Sequence, residues 1–371
     1  MHNRFFWHVA RKELIQVYIS MVLRDFAISL LSLFVPLYLY RELGYSLQQT
    51  LLFYIFYAVI FAICTPLAAK FCSKYGVKHA VLLSVPLYLG FVSLLYVLSL
   101  VKISLLLVAL LLGAALAFYW IGMHLIFYHA SHRAHRGEEI GKLTSLTRLS
   151  TMFGPLLGGI IITSVGFWMV FALAAVILLA SAVVLFFSKD NHVTYRFTAR
   201  ALAERKQWKN SLFFVSRGAS VIAESVIWPL FIFVILESYV SLGLVGFLVS
   251  GITALLVFLV GKYSDHASKR KIVRLITLPE SAAWIVRAAV TTTSHVFGAT
   301  IFAALTTGIR EAPMAALEYD KAKENPASYF VTREIFINLG RILMLSFVLL
   351  ADSLSSGFVL QGILNLTALL F

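Results

Sequence analysis

The sequence predicts an all-α polytopic membrane protein with twelve transmembrane helices in two pseudo-symmetric bundles of six. Three observations predict this fold: the composition, the spacing of apolar runs and the alternation of charge between them. Of the 371 residues, 60% are hydrophobic and 13% are charged, whereas soluble domains are about 45–50% apolar and about 25% charged. A soluble fold of this length would have too little polar surface to cover the excess, so apolar side chains must face lipid.

Twelve apolar runs approach the roughly 20 residues that a helix needs to cross a bilayer. In chain order, the predicted spans are 16–40, 47–69, 78–100, 103–128, 142–164, 167–188, 211–236, 239–261, 272–292, 295–317, 327–350 and 355–371. Several contain a proline or a charged residue, and the last is short. All twelve are kept because removing one would join two turns of opposite charge character.

The turns between the spans alternate between basic and nearly uncharged. The basic residues that follow even-numbered spans are Lys70, Lys74, Lys78, Arg133, Arg136, Lys142, Lys189, Arg196, Arg200, Arg205, Lys206, Lys209, Lys262, Lys269, Arg270, Lys271, Lys321 and Lys323. The other turns carry chiefly Arg41 and Lys102. The positive-inside rule then predicts a cell (plasma or inner) membrane protein with both termini in the cytoplasm. Topology therefore explains the net charge of +14, and no nucleic acid is expected as a partner.

The longest internal loop, 189–210, is basic and divides the spans into two groups of six. We therefore predict an N-terminal bundle (1–188), a cytoplasmic linker (189–210) and a C-terminal bundle (211–371). The loops that start at Ala69 and Gly261 align with an offset of 192 residues. The same offset sets span one against span seven and span five against span eleven, which is typical of an internal structural repeat.

Three segments carry a resemblance to a known family. Their informative residues are Gly261, Asp265, Lys269 and Arg270 after span eight, Gly76 and Lys78 after span two, and Ser150, Gly154, Pro155, Gly158 and Gly159 in span five. Together they resemble the motifs of the major facilitator superfamily. Two positions depart from the family pattern, because Ser73 stands where an aspartate is usual and Ser150 where a glycine is usual. Span four also lacks the arginine of proton-coupled members, and His124 is the nearest polar substitute.

The resemblance implies how the helices are arranged. Spans one and seven would line a central cavity, and spans three, six, nine and twelve would lie outside it. Spans five and eight would cross at the seam between the halves, where their small-residue stripes would meet. These stripes are Ser150, Gly154 and Gly158 on one span and Gly246, Ser250 and Ala254 on the other; the alternative is that such glycines relieve crowding elsewhere. Pro155 should bend span five. Asp265 would belong to a conformational latch, or else to a solvated turn that only sets topology.

Ionisable residues inside the predicted spans are the strongest indication of function. They are Arg24, Asp25, Arg148, Arg217, Glu224, Glu280, Arg287, Arg310, Glu311, Arg333, Glu334 and Arg341. An unpaired charge at mid-bilayer costs at least about 2.5–3.5 kcal/mol. These side chains must therefore face the protein interior or a hydrated cavity, which favours a transport pathway.

Helical spacing groups these residues into faces, and the resemblance separates pathway candidates from structural ones. The pathway candidates are Arg24, Asp25, Arg148, Arg217, Glu224, Trp228, Glu334, Asn338 and Arg341. Glu280, Trp284 and Arg287 are discounted as a structural set, because the resemblance places span nine outside the cavity. The offset of 192 also places Asp25 opposite Arg217, so these two are predicted to approach across the central axis. The alternative is that each pairs within its own half.

Coupling to protons needs a buried carboxylate whose proton affinity changes as the cavity opens and closes. Asp25, Glu224 and Glu334 are the candidates, although a nearby arginine could instead hold each one in a permanent salt bridge. The twelve intramembrane groups comprise seven arginines and five acids, which favours anionic or neutral substrates over cationic ones.

Other residue clusters are weaker candidates. Tyr119, Trp120, His124 and Phe127 could form an apolar wall of the site or simply pack in the core, and His129, His132 and His135 could bind a metal but more simply stay solvated. The two cysteines, Cys64 and Cys72, are expected to be free thiols. No catalytic residue, cofactor or metal is predicted.

The sequence as a whole predicts a secondary active transporter that works by alternating access. It should be a monomer that moves a small molecule across the bilayer, coupled to protons and with a lean towards export. An uptake symporter for an anionic or neutral solute is the alternative within that class. A membrane-embedded enzyme or a non-transporting scaffold is disfavoured, since no metal or catalytic cluster occurs and the loops are short.

Overall fold

The computed structural model describes residues 2–130, 136–187, 190, 192, 194–195, 208–322 and 325–370. Every regular element in these ranges is helical, as the apolar runs predict. We number the long helices α1–α12. Their bounds are α1 His2–Ser32, α2 Leu47–Tyr75, α3 Val77–Leu98, α4 Leu105–Ala130, α5 Arg136–Ser164, α6 Phe167–Phe186, α7 Trp208–Ile222, α8 Tyr239–His266, α9 Lys269–Arg287, α10 Thr293–Lys321, α11 Pro326–Ala351 and α12 Leu354–Asn365.

Three of these helices continue through irregular turns. After α1 come a short helix, Val35–Leu37, and a π-helical turn, Tyr38–Glu42. A π-helical turn, Ala223–Ile227, joins α7 to the helix Trp228–Leu236. A 3-10 turn, Leu366–Leu369, ends α12. Since α7 begins at Trp208, its first turn lies within the predicted linker 189–210, and most of that linker lies outside the described residues.

Nine of the described helices are long and apolar enough to cross a membrane by length and composition alone. The three others are α9, α10 and α12. Helices α9 and α10 carry buried charges such as Glu280 and Arg310, which lower their hydropathy, and α12 is short. All three still pack as members of the C-terminal bundle, so the twelve-helix fold predicted from the sequence is confirmed.

Small polar residues set where several helices begin. Ser46, Ser238, Ser268, Thr292 and Asn325 are the N-caps of α2, α8, α9, α10 and α11, and each side chain accepts a bond from a backbone N–H three residues on. Such caps satisfy donors that the first helical turn leaves unpaired. They also explain why these predicted starts fall within a few residues of the observed ones.

The packing within the two bundles repeats. Helix α1 packs on α5 as α7 packs on α11, α2 packs on α4 as α8 packs on α10, and α3 packs on α6 as α9 packs on α12. The bundles then meet along two long seams, α5 against α8 and α2 against α11. The six-helix repeat predicted from the offset of 192 residues is therefore a repeat of packing as well as of sequence.

The predicted contact between spans five and eight is present, and the backbones approach closely. A β-carbon added at Gly159 would lie 2.3 Å from the carbonyl oxygen of Tyr239, and one added at Gly243 would lie 2.4 Å from that of Pro155. Further along, Ser145 Oγ donates to the carbonyl of Ala254 at 3.0 Å. The small residues therefore allow the two bundles to touch without intervening side chains.

The stripe assigned to this contact was wrong in part. Gly154 and Gly158 face α1, because added β-carbons would lie 1.8 Å from Ser29 Oγ and 2.2 Å from the Leu30 carbonyl oxygen. Ser150 also lies on this side, and its hydroxyl reaches the Val22 carbonyl at 3.5 Å. Spacing identifies which residues share one face of a helix, but it does not identify the helix against which that face packs.

The predicted loop at 69–78 is almost entirely helical. Helix α2 continues to Tyr75 and α3 starts at Val77, so Gly76 alone makes the turn, with φ of 101°. This backbone conformation is accessible to glycine and strained for other residues.

The carboxylate next to this turn comes from a distant part of the chain. Asp190 follows α6, and its Oδ1 accepts from the Lys78 backbone N–H at 2.8 Å, while Oδ2 contacts His79. Asp190 therefore supplies a negative charge at the start of α3, which the helix dipole favours there. In the second copy of the motif, the side chain of Asp265 lies outside the described residues, and Lys269 Nζ contacts Asp320 at 3.2 Å.

Candidate transport cavity

A cavity of about 620 Å³ lies between the two bundles, within the range of small-molecule sites. Its wall is formed by α1, α4, α5, α7, α8, α10 and α11 together with the segment Ala223–Leu236. Helices α3, α6, α9 and α12 do not line it, as the family resemblance implies. The charged residues of the wall are Arg24, Asp25, Arg148, Arg217, Glu224, Glu311, Glu318, Arg333, Glu334 and Arg341.

Nine of the twelve predicted intramembrane charges line this cavity. The other three, Glu280, Arg287 and Arg310, lie behind the wall. Arg310 Nη2 pairs with Glu280 Oε1 at 2.9 Å, so the predicted structural role of Glu280 is supported by a partner on a neighbouring helix. Arg287 Nη1 instead lies 2.5 Å from Glu224 Oε2, which connects Glu224 of the wall to α9 behind it.

Glu318 is a wall residue that sequence reasoning missed. Span ten was predicted to end at residue 317, whereas α10 continues to Lys321. Glu318 lies seven residues after Glu311 and thus on the same helical face. The spacing of seven residues from Glu311 could have identified Glu318. It was not used because hydropathy placed the end of span ten at residue 317.

Asp25 is held within the N-terminal bundle. Arg24 Nη1 lies 3.6 Å from Asp25 Oδ1, and the Tyr119 hydroxyl donates to the same oxygen at 3.3 Å. The Arg24 guanidinium carbon also lies 3.1 Å from the centre of the Tyr119 ring. The contacts of Asp25 thus lie within its own half, and no ion pair joins it to Arg217 in the described part of the chain.

Two polar contacts between charged or titratable wall residues cross the cavity from one bundle to the other. In the first, Arg148 Nη2 on α5 donates to Glu311 Oε1 on α10 at 3.0 Å. In the second, His124 on α4 meets α10 and α11: Nδ1 lies 2.9 Å from the Tyr319 hydroxyl and Nε2 lies 3.3 Å from Glu334 Oε1. Charged contacts across a central axis can strengthen or break as the halves move, so both are candidate conformational contacts.

Arg333 completes the second contact. Its Nε donates to Glu318 Oε2 at 2.7 Å, and its Nη1 lies 3.2 Å from His124 Nε2 and also bonds Glu334. His124 Nε2 faces both a donor, Arg333 Nη1, and an acceptor, Glu334 Oε1. Because a guanidinium can only donate and an ionised carboxylate can only accept, Nε2 accepts from Arg333 when it carries no proton and donates to Glu334 when it carries one. The cluster can thus exist in two hydrogen-bonding states that differ by one proton.

Some of the predicted pathway residues on α7, α11 and the segment after α7 line the cavity, whereas Asn338 lies behind the wall and supports one of them. Glu224 lies in the π-helical turn, a feature common at functional sites, and Trp228 follows it in the wall. Asn338 is fully buried and is not part of the wall. Its Oδ1 accepts from Arg341 Nη1 at 2.8 Å, so its role is to orient Arg341.

Aromatic residues form an apolar part of the wall. Tyr119, Trp120, His124 and Phe127 all line the cavity, which supports the wall interpretation over simple core packing. The His124 ring stacks on Phe330, with 4.8 Å between ring centroids. Aromatic rings at this site can hold the apolar body of a ligand.

Of the remaining sequence candidates, His129, Cys64 and Cys72 are described, and none of these three lines the cavity. His132 and His135 lie outside the described residues, and no metal-binding cluster of three ligands occurs among the residues that are described. Cys64 and Cys72 on α2 are free cysteines.

The comparisons with known proteins agree with this architecture. The chain is 24% identical over 351 residues to the uncharacterised protein YqgE of Bacillus subtilis, covering 88% of this chain and 80% of that protein. Among solved structures, the human organic anion transporter MFSD10 (TETRAN) covers 98% of this chain and 99% of its own, with a TM-score of 0.71 at 13% identity. The Escherichia coli fucose:proton symporter FucP covers 97% and 98%, with a TM-score of 0.71 at 14% identity.

The family assignment rests on the sequence itself. The sequence pattern of the Major Facilitator Superfamily matches residues 17–343, which is most of the chain. The match extends from α1 into α11 and includes all the charged residues of the cavity wall. This chain therefore belongs to the Major Facilitator Superfamily and is a transporter rather than an enzyme.

Proposed function

We propose that this protein is a proton-coupled secondary active transporter that exports a small molecule by alternating access. The observation that carries the proposal is the charged cavity between the two bundles. Rocking of bundle 1–188 against bundle 211–371, connected by the linker 189–210, would expose the cavity to each side in turn. The span-five segment with Gly154 and Pro155 supports export through its resemblance to the family motif.

Contacts on both sides of the cavity support such a cycle. On one side, the Tyr239 hydroxyl on α8 donates to Glu42 Oε1 at the end of the first span, and the Tyr239 ring packs on Phe34 at 6.1 Å. On the other side, Phe330 of α11 packs among buried residues of α2, α3 and α4. Alternating access requires that one of these contacts opens while the other stays closed.

The His124 cluster supports proton coupling. It connects the bundles and has two hydrogen-bonding states, so a proton that enters or leaves would change how strongly the halves adhere. Asp25 and Glu224 remain alternative sites for the proton. Each contacts an arginine, as Glu334 does, but only Glu334 also has a histidine partner among the described residues of the cavity wall. We therefore assign the coupling proton to Glu334 and His124.

The basic turns support the proposed orientation. With both termini in the cytoplasm of the cell membrane, the Gly76 and Gly261 ends face inwards and the Glu42–Tyr239 contact faces outwards. The partners of the protein would then be the bilayer, the transported molecule and protons. The two bundles enclose the cavity without a second chain, which supports a monomer.

Distances between spin labels test the alternating-access proposal. One pair, Lys74→Cys with Arg270→Cys, reports on the inner side, and another, Gln48→Cys with Ala351→Cys, reports on the outer side; all four positions are exposed. The labels require a background in which Cys64 and Cys72 are replaced. Between pH 8 and pH 5, double electron–electron resonance should show one distance lengthening while the other shortens.

A pair within one bundle provides the control. Gln48→Cys with Lys102→Cys lies wholly in the N-terminal bundle, and its distance should stay constant across this pH range. If the inner and outer distances both stay fixed, or if they change together, the alternating-access proposal fails.

A further inference from the structure

We infer that the transported molecule is an amphipathic organic anion whose charged group binds between Arg217 and Arg341. The inference rests on the proposed transport function and assigns the substrate class of the same cavity. It depends on three features of the wall: the close helix crossing that carries the two arginines, the pairing of the wall carboxylates with other arginines and the aromatic surface nearby.

A close helix crossing sets the positions of the two arginines. At Gly218 an added β-carbon would lie 1.8 Å from the Ile337 carbonyl oxygen, and at Gly340 it would lie 1.9 Å from that of Val215. Helices α7 and α11 are therefore in backbone contact at these two glycines. Arg217 and Arg341 directly neighbour them in sequence, and both line the cavity, so the crossing fixes the backbone from which both arginines reach the cavity.

The carboxylates of the wall are already paired with other arginines. Asp25 lies near Arg24, Glu224 near Arg287 and Glu311 near Arg148. Arg333 contacts both Glu318 and Glu334. Within the part of the chain that the structure describes, Arg217 and Arg341 are the wall arginines without a carboxylate partner.

Arg217 stays unpaired although acids lie in its surroundings. Glu280, Glu311 and Glu318 are carboxylates in its surroundings. Each already pairs with another arginine, at 2.9 Å, 3.0 Å and 2.7 Å respectively. The side chain of Arg217 is partly exposed to the cavity. An anionic ligand could thus bind it without breaking an existing ion pair.

Arg341 is held in place, but not all of its hydrogen-bond donors have a partner. It is 6% exposed, Asn338 accepts from Nη1, and the guanidinium lies 5.2 Å from the Phe61 ring centre. Its buried Nε has no hydrogen-bond partner among the described residues. A buried guanidinium with an open donor, held by a neutral amide, is suited to a carboxylate, sulfonate or phosphate, which arginine binds through two parallel hydrogen bonds.

The rest of the wall suits an apolar body. Trp120 and Trp228 line the cavity together with Phe127, Val221 and Ile337. Two arginines next to large aromatic faces favour a ligand that has an anionic end and a flat or bulky apolar end. A small inorganic anion would leave this apolar surface without a partner.

A matched set of naphthalene probes tests the assignment. Naphthoate, naphthamide and naphthylmethylammonium share one aromatic body and differ in charge. Isothermal titration calorimetry with the purified full-length protein should detect binding of naphthoate, with the amide and the ammonium at least about tenfold weaker, since losing one charge-assisted hydrogen bond costs about 1.5–3 kcal/mol. Equal affinity for all three probes would overturn the assignment.

Variants locate the binding site. Arg217→Gln should weaken naphthoate binding roughly tenfold or more, Arg217→Lys should weaken it less, and Arg341→Gln should act in the same direction as Arg217→Gln. Arg274→Gln removes an exposed arginine outside the cavity and should leave the affinity unchanged. Because Arg217 is partly exposed and unpaired, Arg217→Gln should keep the melting temperature of the wild-type protein, so lost binding would not reflect unfolding.

The two proposals fail separately. Selective naphthoate binding that depends on Arg217, without reciprocal spin-label distances, would refute alternating access and keep the anion site. Reciprocal distances with naphthoate affinity unchanged in Arg217→Gln and Arg341→Gln would refute the anion site and keep the transport cycle.

Discussion

At the scale of single residues, the sequence identified the chemistry of the site better than its pairing. Nine intramembrane charges converge on the cavity because hydrocarbon penalises any other placement. Their partners depend on rotamers and on neighbouring helices, which spacing does not encode. Asp25 pairs with its neighbour Arg24, and Arg287 of the predicted structural set pairs with the wall residue Glu224. Glu318 was not predicted as a wall residue because hydropathy placed the end of its helix too early.

Glu334→Gln tests the coupling site at this scale. A glutamine keeps the size of the side chain but holds no exchangeable charge, so the His124 cluster should lose one of its two states. The spin-label distances of the inner pair should then stop responding to pH between 8 and 5. Exposed Glu237 lies in the turn after Leu236, and Glu237→Gln should respond as the wild type does. A full response in Glu334→Gln would move the coupling proton to Asp25 or Glu224.

At the scale of helices, the sequence predicted each span but placed several boundaries short. Helix α2 continues six residues beyond its predicted end at residue 69, to Tyr75, because helices extend past the hydrocarbon into the polar interface. The carboxylate at the start of α3 was also unpredictable, since Asp190 is more than one hundred residues away from Lys78. The small-residue stripes were visible in the sequence, but the helices that they contact were not.

The α7–α11 crossing gives a stability prediction at this scale. Gly218→Ala and Gly340→Ala each add a methyl group that would overlap a backbone carbonyl, so each should destabilise the protein by about 1–3 kcal/mol or more. Gly298 lies in α10 with no atom within 4 Å of an added β-carbon. Gly298→Ala should therefore be neutral or slightly stabilising, by up to about 1 kcal/mol. Thermal unfolding in detergent measures the difference, and equal melting temperatures for the three variants would contradict the close approach.

At the scale of the whole molecule, composition and the alternation of basic turns were sufficient for the fold. They predicted twelve helices and a repeat of six, and the offset of 192 residues predicted which helices correspond. The cavity could be anticipated only in outline, because its volume and its wall depend on how two bundles meet along α5–α8 and α2–α11. Those seams depend on close backbone contacts, such as that of Gly159 with Tyr239, rather than on a residue pattern with a specific partner.

Cross-linking tests whether the bundles move as units. In a cysteine-free background, Glu42→Cys and Tyr239→Cys should be joined by a short, reducible bifunctional thiol reagent, since the native side chains are in contact. The joined protein should lose the pH response of the inner spin-label pair, and cleavage of the reagent should restore it. An unchanged response in the joined protein would show that the Glu42–Tyr239 side need not open during the cycle.

The glycine crossing of α7 and α11 has a consequence for how cargo would be carried. Both arginines belong to the C-terminal bundle, so the span between their guanidinium groups stays the same whichever way the bundles tilt. The anionic group of the substrate would stay bound to the C-terminal bundle throughout the cycle. The surface of the N-terminal bundle around Trp120 would move relative to the apolar part of the substrate. Head-group geometry would then set which molecules are accepted, and tail length would set how fast they cross.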